Sequence, residues 1–325
     1  MTVKKICEAW RFRVNGNFLG SFLEPVGDVV VLSFQDAEHW TTLAGVSAEG
    51  NGLWEKRWED LAYFRCSKDR LFVDGDKARR IDPRTGRVLA ERHLARSVDI
   101  RCALDAGPVY RIPEEKKYFG LDGEALATLW EWQDEKENFT FDEGRLCRDR
   151  PGEDITIYEL PSLHKHGPIP ATAISAEGAH AHFGDLFCHF GFTEGGRTAV
   201  DLKTGEVAWR YSEPAAYGLI WFDCERGYSS WEGVSAYDLR TGKQLWKRTF
   251  GEIPTSRARV EDGRVYVATG DRFVHVLDAE TGDTLVSYQP KFKITGTVEP
   301  SPVVPLGEDR IVVGTRKEII CLEVS

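Results

Sequence analysis

A short motif recurs along this chain and limits what it can fold into. Its fullest copy is Ser235-Ala-Tyr-Asp238-Leu-Arg-Thr241-Gly242-Lys-Gln-Leu-Trp246. Val200-Asp201-Leu-Lys-Thr204-Gly205-Glu-Val-Ala-Trp209 and Leu277-Asp278-Ala-Glu-Thr281-Gly282-Asp-Thr-Leu-Val286 repeat it. Ile81-Asp82-Pro-Arg-Thr85-Gly86-Arg-Val-Leu-Ala90 is a fourth copy with its last position changed. Each copy reads as strand, tight turn, strand. The Asp side chain can accept a hydrogen bond from an amide two residues on, and the Gly can take the positive φ of a bulged hairpin turn.

The Asp positions give the period. Asp82, Asp122, Asp201, Asp238 and Asp278 are separated by 40, 79, 37 and 40 residues, and the gap of 79 holds a degenerate unit at Tyr158-Glu159-Leu-Pro-Ser. Trp130, Trp209 and Trp246 each follow their Asp by eight residues. Val46-Ser-Ala-Glu-Gly50-Asn-Gly-Leu-Trp54 keeps the Gly and Trp offsets without the Asp. Between the turns the chain is strand-like: runs such as Arg264-Val-Tyr-Val-Ala and Arg310-Ile-Val-Val-Gly are bounded by Gly, Asp and Pro. The best helical candidate, 126–137, carries Trp130 at the repeat position and is read as strand.

The two ends are incomplete in complementary ways. Residues 317–323 resemble the strand before a turn, and Glu8-Ala-Trp10-Arg-Phe12 echoes Val207-Ala-Trp209-Arg-Tyr211, the strand after one. The reading predicts that 5–13 pairs with 317–324 in one four-stranded blade, which closes the ring and removes an exposed sheet edge. Turns near 46, 82, 122, 159, 201, 238, 278 and 323 predict an all-β, eight-bladed β-propeller, with seven blades as the alternative, in a single domain over 1–325.

The pattern Ala-x-Asp-x-x-Thr-Gly-x-x-x-Trp resembles the tryptophan-docking repeat of the pyrroloquinoline-quinone (PQQ) β-propeller superfamily. The resemblance runs through nearly the whole chain and is closest from Thr198 to Leu285. It implies that Trp10, Trp54, Trp130, Trp209 and Trp246 pack against the turn of a neighbouring blade. Ala90, Gly167 and Val286 lack the ring, so their contacts are expected to be looser. The superfamily's dehydrogenases carry an adjacent-cysteine disulfide, a calcium site and a secretory signal, whereas no two cysteines are adjacent here. The resemblance therefore leans toward the non-catalytic scaffolds, and no cofactor is expected.

Composition narrows the function classes. A formal net charge of −10 argues against nucleic acid as a partner, because that binding relies on Lys and Arg neutralising phosphates. It suits a basic protein partner better. Met1-Thr-Val-Lys-Lys-Ile-Cys7 has no apolar signal region behind its lysines, and no run approaches the roughly 18 apolar residues of a membrane helix. The expectation is a cytoplasmic monomer without membrane association. Seven scattered cysteines with no Cys-x-x-Cys pair fit reduced thiols.

Three clusters compete as sites. Tyr217, Trp221, Phe222, Tyr228 and Trp231 crowd the repeat that turns at Asp238, off the docking positions and near Asp223, Glu225 and Glu232. Tyr and Trp are favoured interface anchors, so Tyr217, Trp221, Tyr228, Trp231 and Glu232 are the predicted partner surface, against the plain alternative of local core packing. His180-Ala-His182 puts two rings on one face of a strand, half of a metal site or simply polar lining of a channel. Glu131-Trp-Gln-Asp134-Glu135-Lys-Glu137 is an acidic connection, a solvated loop or a guide for a basic partner. No catalytic motif is present. The reading is a non-enzymatic scaffold that binds a protein on one rim, for instance an immunity protein masking a basic toxin. The alternative is an enzyme or sensor holding a quinone, metal or sugar in a central channel.

Overall fold

The computed structural model describes residues 6–324 apart from 16, 36–39, 59–62, 114, 134–138, 143–144, 151–152, 161, 170–177, 192–195, 213–218, 224, 231, 255, 257, 272, 290–302, 308 and 315–317. All its elements are β-strands, including Thr128–Gln133 in the ambiguous segment. Among the described residues no helix is long and apolar enough to cross a membrane. The chain divides into two compact units, Ile6–Glu137 with Val304–Ser325, and Asn138–Val303.

The turns explain the composition of the motif. At Asp238 the carboxylate Oδ1 accepts the Thr241 N–H at 2.9 Å, and the Asp238 carbonyl accepts the Gly242 N–H at 2.7 Å. The Thr241 hydroxyl accepts the Lys243 N–H, and the Asp238 N–H closes the turn on the Lys243 carbonyl. Asp82, Asp201 and Asp278 make the same set. The strand register then shifts by one at each turn, as a bulged hairpin requires.

The remaining motif positions serve the tryptophan. The indole N–H groups of Trp10, Trp54, Trp209 and Trp246 donate to the carbonyls of Ala48, Pro83, Leu239 and Ala279 at 2.7, 2.7, 3.3 and 3.1 Å, each in the turn of the next repeat. The turn glycine lies under the ring: a Cβ on Gly86 or Gly282 falls 2.6 Å from the indole of Trp54 or Trp246. That glycine also has φ near +70°, so it meets two constraints that no side chain satisfies together. The residue facing the ring on the adjacent strand is small: Gly45, Gly120, Ala199 and Ala236 lie opposite Trp54, Trp130, Trp209 and Trp246.

Each repeat is an antiparallel meander whose strands pair in chain order. Among the described residues these meanders make seven sheets, which corrects the expected eight blades to seven. The difference lies in the strand that carries Ala90. The Asp82 and Asp122 repeats keep separate turns but share one 16-residue strand, Val88–Ala103, so their strands form a single seven-stranded sheet. Its first part pairs with Gly75–Ile81 and its last part with Pro108–Ile112. Where a Trp ring would cross to the next turn, Arg92 donates instead to the Leu126 carbonyl at 3.0 Å. The ends of the chain meet as their sequences imply. Ile6–Arg13 pairs with Glu318–Val324 and completes the sheet of Val303–Pro305 and Arg310–Gly314, with Arg11 and Arg13 both bound to Glu318.

Apolar side chains are buried between successive sheets. Leu23, Leu32, Phe34 and Val46 meet Val312, Ile319 and Cys321 in one cluster, while Tyr228, Val234, Val265 and Leu277 meet in another. Each such aliphatic side chain contributes about 1.5–3 kcal/mol on burial. Trp209→Ala or Trp246→Ala is expected to cost about 3–5 kcal/mol in a urea melt, and Gly282→Ala a similar amount because the ring has nowhere to move. Deleting residues 1–13 removes the Trp10 contact and leaves Glu318–Val324 as a sheet edge. The truncated protein should lose at least ~3 kcal/mol and unfold over a broader urea range.

Candidate partner surface

The aromatic cluster of the Asp238 repeat is not a single surface. Its strands are Leu219–Phe222, Arg226–Ser230, Val234–Asp238 and Gln244–Arg248. Tyr217 and Trp231 lie outside the described residues, and Trp221 is placed by its backbone alone, opposite Tyr228. Tyr228 is fully buried, and this corrects its expected role as an anchor: alternation along Arg226–Ser230 turns its ring into the cluster with Val265 and Leu277. Its hydroxyl donates to Asp223 Oδ2 at 2.8 Å, and burial, then that hydrogen bond, push its ionisation above the usual tyrosine range. Phe222 is half-buried against Phe190.

The carboxylates separate to opposite ends of the sheet. Asp223 Oδ1 accepts the N–H groups of Glu225 and Arg226 at 2.8 and 2.7 Å, forming the turn before Arg226–Ser230. Glu232 follows that strand at its other end, exposed and 3.3 Å from Lys247. Glu232 and Glu225 therefore belong to different rims of the sheet. Beside Glu225, on the turn end of this repeat and the next, Asp262, Glu280 and Asp283 are also exposed. The sequence carries a signal for this arrangement, since acidic residues recur in the turns, but spacing does not say which turns share an end.

The described members of the other clusters make local contacts. His182 is buried against Phe187, with ring centroids 5.2 Å apart, and His180 pairs through its backbone with His189, which is buried. His166 Nε2 lies 2.9 Å from Glu159. Among the described residues no three His, Cys, Asp or Glu side chains group as metal ligands. Glu131 pairs with Lys117 at 2.7 Å, and 134–138 fall outside the described residues. No motif in the sequence singles out Arg197, which is buried with its guanidinium over the rings of Tyr237 and Tyr211 at 4.5 and 5.0 Å. Its partners come from different repeats, so only the packed sheets reveal them.

Tyr228→Phe is expected to cost about 1–2 kcal/mol, the loss of one hydrogen bond to a carboxylate, and Tyr228→Ala about 3–5 kcal/mol. Both losses should appear in urea melts of the protein alone. A Tyr228→Ala protein as stable as the parent contradicts the buried placement.

Comparison with known proteins agrees with the repeat geometry. The sequence profile of the outer membrane protein assembly factor BamB matches residues 231–323. No curated protein matches. Among solved structures, BamB from Moraxella catarrhalis superposes with a TM-score of 0.64 at 13% identity, covering 98% of this chain and 100% of that one. The C-terminal WD40 domain of Sif2 gives 0.66 at 15% identity, covering all of both chains. Quinohemoprotein alcohol dehydrogenase from Comamonas testosteroni gives 0.64 at 11% identity, covering 99% of this chain and 77% of that one. These likenesses show a β-propeller fold, and its docked-tryptophan repeat is similar to that of the PQQ-like superfamily, whose BamB profile matches residues 231–323.

Proposed function

We propose that this protein is a non-enzymatic, cytoplasmic β-propeller scaffold that binds a basic protein partner on one rim of the Asp238 repeat, as an immunity protein masks a toxin. The observation that carries this reading is that the loops of the Asp238 and Asp278 repeats expose carboxylates, with Glu232 on one rim and Glu225, Asp262, Glu280 and Asp283 on the turn rim, so that the variants below decide between the two. The strands beneath them are packed by buried apolar clusters and docked rings, so the frame does not need these carboxylates. A rigid frame with exposed charged loops suits recognition, and acidic loops raise the encounter rate of a basic partner. Trp231, adjacent to Glu232, and Trp221 with Tyr217 are the aromatic anchors this reading invokes. The kinship with an assembly factor and a WD40 domain supports a protein-binding role.

The test begins with a pull-down from the native cytoplasm and mass spectrometry, followed by titration of the recovered partner at two salt concentrations. Trp231→Ala and Glu232→Lys should each weaken binding by about 2 kcal/mol, and binding should weaken with added salt. Glu225→Lys, on the other rim, serves as the internal comparison: if it alone weakens binding, the partner uses the turn rim. A partner that binds all three variants normally sinks the proposal. A second reading, a quinone held by the repeats, rests on the likeness to the quinohemoprotein dehydrogenase. A quinone absorption band in the purified protein favours it.

A further inference from the structure

The repeat that departs furthest from the motif gathers metal-ligating side chains where the others have a capped turn and a ring. Aligned on Asp238, Gly242 and Trp246, its positions are Glu159, Leu163 and Gly167, so all three motif residues are replaced. The backbone still makes the turn. The Leu163 N–H donates to the Glu159 carbonyl at 2.7 Å, and Leu163 takes a φ of 57° where the motif has glycine. Ser162 stands in for the motif threonine, its hydroxyl accepting the His164 N–H at 3.3 Å. The acid has changed its task. Glu159 is one methylene longer than aspartate, and its Oε1 lies 2.9 Å from Nε2 of His166 on the outer strand.

The hairpin brings a third group to the same side. Strands Glu153–Glu159 and His164–Ile169 pair antiparallel, with His164 opposite Glu159 and His166 opposite Ile157. Cross-strand partners and residues two apart share a face, so Glu159, His164 and His166 project together. The two imidazoles meet edge to face with centroids 5.0 Å apart. His166 Nε2 is itself buried, and Glu159 Oε1 lies too far off the ring N–H direction to form a hydrogen bond. A nitrogen and a carboxylate oxygen that close on each other without a proton in line are placed like two ligands of one cation. Ligand atoms on a tetrahedral zinc ion are about 3.3 Å apart, and two ligating imidazole rings are about 5 Å apart, centroid to centroid.

We propose that Glu159, His164 and His166 bind one divalent transition-metal ion of the zinc class, with solvent in the fourth position. Two imidazoles and one carboxylate suit zinc, whereas calcium and magnesium favour shells of oxygen. Among the described residues no three ligands are already drawn round one point. His164 is exposed, and rotation of its side chain brings the third ligand to the Glu159–His166 pair. The ion braces a turn that has lost its Asp and Gly, in the repeat where Gly167 supplies no ring to dock.

Zinc titration of the chelator-stripped full chain, in competition with a chromophoric chelator, tests the site. The native protein should bind one zinc ion. His164→Gln, His166→Gln and Glu159→Gln should each weaken binding by at least about tenfold, the least that disturbing a ligand shell costs. His180→Gln, on another strand, should bind as the native protein does. Cobalt(II) in place of zinc should give visible bands without the near-ultraviolet band of thiolate ligation. A native protein that binds no zinc overturns the site, as does full affinity in any of the three variants, loss of binding in His180→Gln, or a thiolate band. Urea melts without zinc accompany the variants. His164 is exposed, so His164→Gln should keep the parent's stability and still decide the question if another variant fails to fold.

Discussion

The indole ring that crosses from one repeat onto the turn of the next is the contact on which the other features of the motif depend. A four-stranded sheet cannot bury both of its faces alone, and repeats of this kind gain their stability from neighbours. At Trp10, Trp54, Trp209 and Trp246 the ring covers apolar surface while its N–H is satisfied by a carbonyl of the adjacent turn. A half-buried aromatic of this size with its polar tip bonded is worth about 1–3 kcal/mol or more, beyond what an exposed ion pair supplies. The Asp shapes the turn so that its carbonyl faces the ring, the Gly leaves room beneath it, and the small residue on the adjacent strand leaves room beside it. Four positions distant in chemistry are thus selected by one contact.

Ala90 shows what replaces that contact when the ring is absent. Here the strand runs on as backbone, and ladder hydrogen bonds carry the connection to the next repeat. The Arg92 bond to the Leu126 carbonyl supplies the polar part. Leu126 itself sits at the turn-glycine position with φ of 59°, an uncommon conformation for a residue with a Cβ, and its fully buried side chain offsets the strain by packing among Ile100, Tyr110 and Phe119. No indole overlies that turn among the described residues, so the demand for glycine is lifted. Asp74 lies at the same junction, where its buried carboxyl group accepts the N–H groups of Tyr63 and Ile100.

The loops carry the exposed charge of this frame. The buried clusters use the aliphatic positions of the strands, and the carboxylates of Glu225, Glu232, Asp262 and Glu280 are left to solvent. Tyr228 illustrates the limit of composition as a guide to surfaces. Five aromatic residues in one repeat look like an interface, but the central strands are covered on both faces, as the unbroken burial of Gly227 to Ser230 shows.

The sequence alone determined the all-β class, the motif turns, the docking of Trp10, Trp54, Trp209 and Trp246, and the pairing of the first strand with the last. These follow from local rules: an Asp that bonds nearby amides, a Gly that tolerates positive φ, and a Trp at a constant offset. The tertiary structure decided the rest. The count of seven sheets depends on whether one strand bends between repeats or continues through both, and that turns on packing at Ala90 and Leu126 rather than on the spacing of turns. The burial of Tyr228, the separation of Glu225 from Glu232, the stacking of Arg197 between two tyrosines and the enclosure of Asp74 all depend on which faces meet. The side chains that cover each sheet face come from residues distant in sequence, and nothing local states which of them will meet.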